Sequence, residues 1–75
     1  MNKQRRNEIS NIGRELIVIK KRIEAVQDLE INAFENMPEN LQNSLKGSES
    51  EEAIDILDEV LEKMGKIINM LYEIA

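Results

Sequence analysis

The chain has 75 residues, of which 33 % are charged and 41 % apolar, and its net charge is −5. This composition is typical of packed helical and coiled-coil proteins and excludes an intrinsically disordered chain. The chain contains no cysteine and no histidine, which excludes disulfide bonds, thiolate or imidazole metal sites and the commonest general base.

The first predicted element is a helix over about residues 3–36. Its apolar residues recur at alternating intervals of three and four, as on one face of an α-helix. This apolar seam consists of Ile9, Ile12, Leu16, Ile19, Ile23 and Val26. Pro38 disfavours helical dihedral angles at Met37 and is therefore expected to end the helix.

Residues 37–48 are predicted to form the connection, with room for one short helical turn. Gly47 is expected to interrupt the chain, and Ser48 with Glu51 matches the spacing of a capping box. The second long helix is therefore predicted over about residues 49–75. Two long helices joined by a short connection pack as antiparallel neighbours, so the chain is expected to form one helical-hairpin domain.

The second helix carries more apolar surface than one partner helix can cover. Its heptad seam consists of Ala53, Leu57, Val60, Met64, Ile67, Leu71 and Ile74. A second column of Ile54, Leu61, Ile68 and Ala75 recurs every seventh residue beside that seam. Three apolar positions per heptad are typical of a helix that contacts at least two neighbours.

The sequence therefore predicts an all-α fold, a coiled-coil-like antiparallel two-helix hairpin that assembles into a homo-oligomeric helical bundle. A homodimer of four helices is the simplest closed assembly. The candidate interface with another copy or with a partner consists of Ile54, Leu57, Leu61, Met64, Ile68 and Leu71.

Charge is distributed unevenly along the chain. Residues 1–22 hold seven Lys and Arg against two Glu, whereas residues 23–62 hold twelve Asp and Glu against one Lys. The basic residues could bind an anion such as a phosphate, or they could be a solvated helix start with salt bridges along the hairpin. The candidate anion-binding residues are Lys3, Arg5, Arg6, Lys20, Lys21 and Arg22.

The predicted hairpin would bring opposite charges together along its length. Lys21 and Arg22 of the first helix are expected to fall near Glu59 and Glu62 of the second. Because surface ion pairs contribute only about 0–1 kcal/mol each, these pairs would select the register of the helices more than they would stabilise it.

No group of residues forms a recognisable catalytic, cofactor or metal site. The serines lack a base partner, and the three glycines are isolated rather than grouped in a phosphate-binding loop. We therefore predict a protein that is not an enzyme and that holds no cofactor or metal. One acidic cluster could supply carboxylates to a divalent cation, but a solvated, partly salt-bridged face is favoured. It consists of Glu51, Glu52, Asp55, Asp58, Glu59 and Glu62.

The basic N-terminal residues are not followed by the apolar core of a signal peptide. The longest apolar run, residues 16–19, is far shorter than the ~20 residues of a membrane span. We therefore expect a cytoplasmic protein with no membrane partner.

Residues 33–62 carry a recognisable pattern of turn and helix start. The turn residues are Ala33, Phe34, Asn36, Met37, Pro38 and Glu39, and the helix start is Glu51, Glu52, Ala53, Ile54 and Asp55. This pattern resembles small helical-hairpin proteins of bacterial phages and mobile elements. The resemblance implies a helical hairpin that originates from a phage or prophage and acts in the host cytoplasm, and it transfers no catalytic residue.

Three functions are compatible with these features. The leading hypothesis is a non-enzymatic phage accessory or inhibitor protein that binds a host macromolecule, most simply a protein, through an oligomeric helical bundle. The first alternative is an oligomeric sponge for an anionic signalling nucleotide, bound by the Lys and Arg clusters. The second alternative is a weak DNA-binding accessory protein, which the acidic net charge and the lack of a DNA-reading motif disfavour.

Overall fold

The structure, a computed structural model, describes residues 1–75 and is entirely helical. Helix α1 spans Lys3–Glu35, α2 spans Glu39–Gln42 and α3 spans Leu45–Ile74. The predicted all-α class is confirmed. Helix α1 has nearly the predicted bounds, and α2 is the short helical turn expected within the connection.

Helices α1 and α3 pack side by side in opposite directions. Gly13 of α1 lies beneath Tyr72 of α3, whereas the Gln27 side chain contacts Asp58, so positions further along α1 meet positions earlier along α3. The molecule measures 58 × 15 × 11 Å and has a radius of gyration of 17.2 Å. A compact domain of this length would have a radius of about 11 Å, so the protomer is a rod with a thin interior.

Helix α3 begins four residues earlier than the sequence predicts. Ser44 is its N-cap residue, but the Ser44 hydroxyl donates to the Leu41 carbonyl at 2.5 Å instead of capping α3. The proposed capping box of Ser48 and Glu51 is therefore wrong, because both residues lie inside the helix. Gly47 does not interrupt the helix; it is buried where the first turn of α3 meets the backbone of α2.

The stripe of α1 that faces α3 differs from the predicted seam. It follows a 4-3-4-3 spacing through buried or half-buried residues, which are Gly13, Ile17, Lys20, Glu24, Gln27, Ile31 and Phe34. The stripe of α3 that faces α1 contains Gly47, Ser50, Ile54, Leu61 and Ile68. The column interpreted as contacting a second neighbour therefore lies within the hairpin.

Polar side chains form part of the contact between α1 and α3. The Gln27 amide donates to the Ile54 carbonyl at 3.2 Å and to the Asp58 carboxylate at 2.5 Å. The Ser50 hydroxyl donates to the Glu30 carboxylate at 2.6 Å. Only five of the 75 residues are buried, and Ile68 is the only large apolar one among them.

The predicted ion pairs between the helices do not form. Glu59 pairs with Lys63 at 2.9 Å and Glu62 pairs with Lys66 at 3.5 Å, each within α3. Lys21 and Arg22 are exposed and make no ion pair. Partners one turn away on the same helix are closer than partners on the neighbouring helix, and they satisfy the glutamates first.

Candidate interaction surface

Most residues of the two predicted apolar seams lie together on one side of the hairpin, which we name the apolar face, where they are exposed or half-buried. On each helix the seam is rotated by roughly one residue, about 100°, from the stripe in the hairpin contact. Because α1 and α3 are antiparallel, this rotation places both seams on the same side of the rod. The apolar face consists of Ile12, Leu16, Ile19, Ile23, Val26, Ala53, Leu57, Val60, Met64, Ile67, Leu71 and Ile74.

Side chains from both helices meet on the apolar face. Ile19, Ile23 and Val26 of α1 line one shallow groove with Leu57 of α3. Ile19 is 42 % exposed, Val26 56 % and Ile67 50 %. Exposed apolar residues scattered singly are normal on a protein surface, whereas an aligned apolar patch is a candidate interaction surface.

The exposed surface of the protomer is large for its mass. The protomer of 8.7 kDa exposes 5752 Å², whereas a compact monomer of that mass is expected to expose about 4,700 Å². The excess of about 1,000 Å² is similar to the ~800 Å² that each partner contributes to a standard-sized protein interface. The chain exposes this excess because it is a thin rod 58 × 15 × 11 Å in extent.

The six candidate interface residues divide into two groups. Ile54, Leu61 and Ile68 lie within the hairpin, and Ile68 is only 7 % exposed. The assignment of Ile68 to an external interface is corrected, because α1 already covers it; Ile54 and Leu61 are half-buried. Leu57, Met64 and Leu71 are half-buried at the border between the hairpin contact and the apolar face. These three residues remain accessible to a further neighbour.

The sequence did not indicate that residues of the heptad seams lie at the surface, while the column of Ile54, Leu61 and Ile68 lies closer to α1. Ile67 of α3 is exposed on the apolar face, together with Ile12, Ile19 and Val26 of α1. Their heptad spacing favours a place in the contact between α1 and α3 rather than on an outer face. Apolar periodicity identifies a stripe that avoids water and does not identify the helix that covers it.

The opposite side of the rod, which we name the polar face, carries charged residues from both helices. It comprises Arg14, Lys21, Asp28, Glu51, Asp55, Asp58, Glu62 and Asn69. No group of three or more carboxylates converges closely enough to hold a metal ion. The acidic cluster of α3 is spread along the helix, and Asp58 is engaged by Gln27.

The candidate anion-binding residues form two separate groups on α1. Lys3, Arg5 and Arg6 are exposed in the first turns of the helix, and Lys21 and Arg22 are exposed about four turns further along. At 1.5 Å per residue the groups are roughly 22 Å apart, so one protomer does not bring them onto a single small anion. The remaining candidate, Lys20, pairs with the Glu24 carboxylate at 3.1 Å.

None of the three helices is both long enough and apolar enough to span a membrane. No protein-family model, curated protein or solved structure matches this chain. The resemblance to phage helical-hairpin proteins therefore stays a prediction, and functional interpretation depends on the apolar face, the polar face and the charges at the two ends of the rod.

Proposed function

We propose that the chain is a non-enzymatic interaction protein of phage type that works as a homo-oligomeric helical bundle in the host cytoplasm. In this bundle the apolar faces of the protomers pack together. The polar faces then point outward, where they bind a host macromolecule. The observation that carries the proposal is the apolar face itself, which extends along both long helices and is only partly covered within the protomer. Its exposed residues are Ile12, Ile19, Val26, Ile67 and Ile74.

The polar face supports a basic protein surface as the host target. Glu51, Asp55 and Glu62 are exposed along one side of α3 and make no ion pair across the hairpin. A row of carboxylates on a rigid helix is complementary to a basic groove, such as one that binds nucleic acid, and long-range attraction between them accelerates encounter. Binding of this kind would weaken as the salt concentration rises.

A pair of matched double variants tests the proposal. Replacing Ile19 and Val26 by Glu puts two charges on the apolar face and should abolish self-association, because each buried unpaired charge costs several kcal/mol. Replacing Val18 and Leu29 by Glu is the control, since these residues of α1 are 59 % and 70 % exposed but lie away from the apolar face. Sedimentation equilibrium reports the assembly state and circular dichroism the helix content.

We expect the control to assemble as the unsubstituted protein does, with unchanged helix content. An equal effect of both pairs would show that the apolar face has no special role and would sink the proposal. A capture experiment from host lysate then tests the outward face. Substitution of Glu51 and Asp55 by Lys should remove the captured partner, while sedimentation still detects the assembly that the apolar faces hold together.

One observation favours the nucleotide sponge as a second candidate. Lys20 and Lys21 line a groove on the polar side of the hairpin together with Glu24, Gly65 and Asn69. The Glu24 carboxylate pairs with Lys20 at 3.1 Å, so Lys21 and Asn69 are the groups left to contact a phosphate and a base. Because the basic groups on one protomer lie far apart, this function requires two or more subunits. A panel of cyclic and linear nucleotides should then raise the unfolding free energy by about 2.7 kcal/mol at 100 times Kd, and no shift with any nucleotide excludes it.

A further inference from the structure

The two ends of the rod carry opposite charge. The terminal half, residues 1–22 and 63–75, has a net charge of +6, and the loop half, residues 23–62, has a net charge of −11. The antiparallel packing of α1 on α3 brings the two chain termini to one end, because Gly13 lies against Tyr72 and Lys20 approaches Gly65. The uneven charge along the sequence thus becomes a charge dipole along a rod 58 Å long.

We propose, on the basis of the proposed function, that the apolar face is covered by a second copy of this chain in the antiparallel orientation. In that dimer the terminal half of each protomer lies against the loop half of its partner. A two-fold axis perpendicular to the rods relates the copies, so α1 packs on α1 and α3 on α3. The rod exposes about 1,000 Å² more than a compact monomer of its mass, which is surface enough for the ~800 Å² that one side of a standard interface buries.

Electrostatics selects this orientation over the parallel one. Both orientations cover the same apolar residues and make every neighbouring pair of helices antiparallel, so packing alone hardly distinguishes them. A parallel pair places two positive halves together and two strongly negative halves together, whereas the antiparallel pair places opposite charges together along the whole length. Like charges in apposition are costly at an interface, and complementary charges fix the register.

Unpaired charges are available for these contacts. Lys3, Arg5 and Arg6 make no ion pair within the protomer, and neither do Glu49 and Glu52 of the loop half. The three ion pairs that do form link Lys20, Lys63 and Lys66 to a Glu one turn away on the same helix. The cations at the first turns of α1 are therefore free to meet the acidic half of a partner.

Spin-label distances in the intact protein test the orientation. Because the chain has no native cysteine, Asn40→Cys places a single label at the loop end. In the antiparallel dimer the two labels should be separated by nearly the 58 Å length of the rod. In a parallel dimer they should lie roughly 10–20 Å apart, since packed helices are separated by 8–10 Å. Mixing Asn40→Cys with Gln4→Cys should give a short distance only in the antiparallel case.

Two controls separate the possible failures. The variant that carries Ile67→Glu together with Asn40→Cys should show no distance between two labels, because a charge on the apolar face prevents association. Loss of the signal would show that the dimer forms through the apolar face. Sodium chloride at 1 M should raise the dimer Kd roughly three- to tenfold by screening the complementary halves, whereas it would lower the Kd of a parallel dimer.

A short distance between Asn40→Cys labels overturns the antiparallel orientation but leaves the bundle intact. A protein that stays monomeric at millimolar concentration overturns both this inference and the proposed function.

Discussion

Glycine has different roles at its three positions, although each one lies in a helix. A β-carbon added at Gly47 would lie 2.0 Å from the carbonyl oxygen of Gln42, which is backbone and cannot move aside without shifting α2. At Gly65 the nearest atom would be Lys20 Cε at 3.9 Å, an ordinary van der Waals distance. The backbone at all three glycines has a negative φ, so close approach rather than unusual dihedral angles explains Gly47.

This difference predicts opposite effects of the same substitution. Gly65→Ala should stabilise the protein by about 0.5–1 kcal/mol, because alanine restricts the unfolded chain and the site has room for a methyl group. Gly47→Ala should destabilise it by roughly 1–3 kcal/mol through overpacking. Urea unfolding followed by circular dichroism measures both. Equal effects of the two substitutions would contradict the close contact between α2 and α3.

At the scale of the helices, the register of α1 on α3 depends on polar contacts. Gln27 is 8 % exposed and Ser50 5 %, and each bonds to a carboxylate of the neighbouring helix, Asp58 and Glu30 respectively. A shift of one helix along the other would separate these partners and leave buried polar groups unpaired, at a cost of about 1–3 kcal/mol for each group. A purely apolar contact would tolerate such a shift more easily.

A double-mutant cycle on Gln27→Ala and Asp58→Ala tests this role. We expect a coupling energy of about 0.5–1.5 kcal/mol, because the hydrogen bond joins a buried amide to a partly solvated carboxylate. The matched cycle uses Gln27→Ala with Asp55→Ala, where Asp55 is exposed on the same helix and receives no bond from Gln27. Additive effects in the Asp58 cycle would show that the contact does not hold the helices in register.

The sequence predicted α1 and α2 well, placed the start of α3 four residues too late, and predicted the mutual rotation of the helices poorly. The length of α1, the short α2 and the heptad columns all follow from local rules of periodicity and proline placement. The rotation does not, because the columns of Ile67 and Ile68 are equally apolar and adjacent. Gly13, Gly47 and Ser50 allow close approach, and a buried Gln27 is satisfied only by groups far away in the chain. Local apolar periodicity contains no information on either effect.

At the scale of the whole molecule, folding and assembly should be one process. If two copies unfold together, the midpoint of thermal unfolding rises with protein concentration, by about 4–5 °C for each tenfold increase in a dimer of 75-residue chains. Calorimetry at protein concentrations from about 5 μM to about 500 μM would measure this dependence over two decades.

The double variant with Glu at positions 19 and 26 provides the reference for this measurement. Its midpoint should be low and independent of concentration, because a protomer that cannot cover its apolar face unfolds alone. A midpoint of the unsubstituted protein that does not change over the two decades would contradict coupled folding and assembly.

The thin interior of the protomer has a consequence for how the protein accumulates in a cell. If the proposed assembly holds, a lone chain that fully buries one large apolar side chain, Ile68, should open frequently and expose its backbone to proteases. Newly made copies should therefore be degraded quickly until a second copy is met, and survival should increase steeply with synthesis rate. Such a protein would be scarce when its gene is weakly transcribed and would accumulate abruptly once expression passes a threshold.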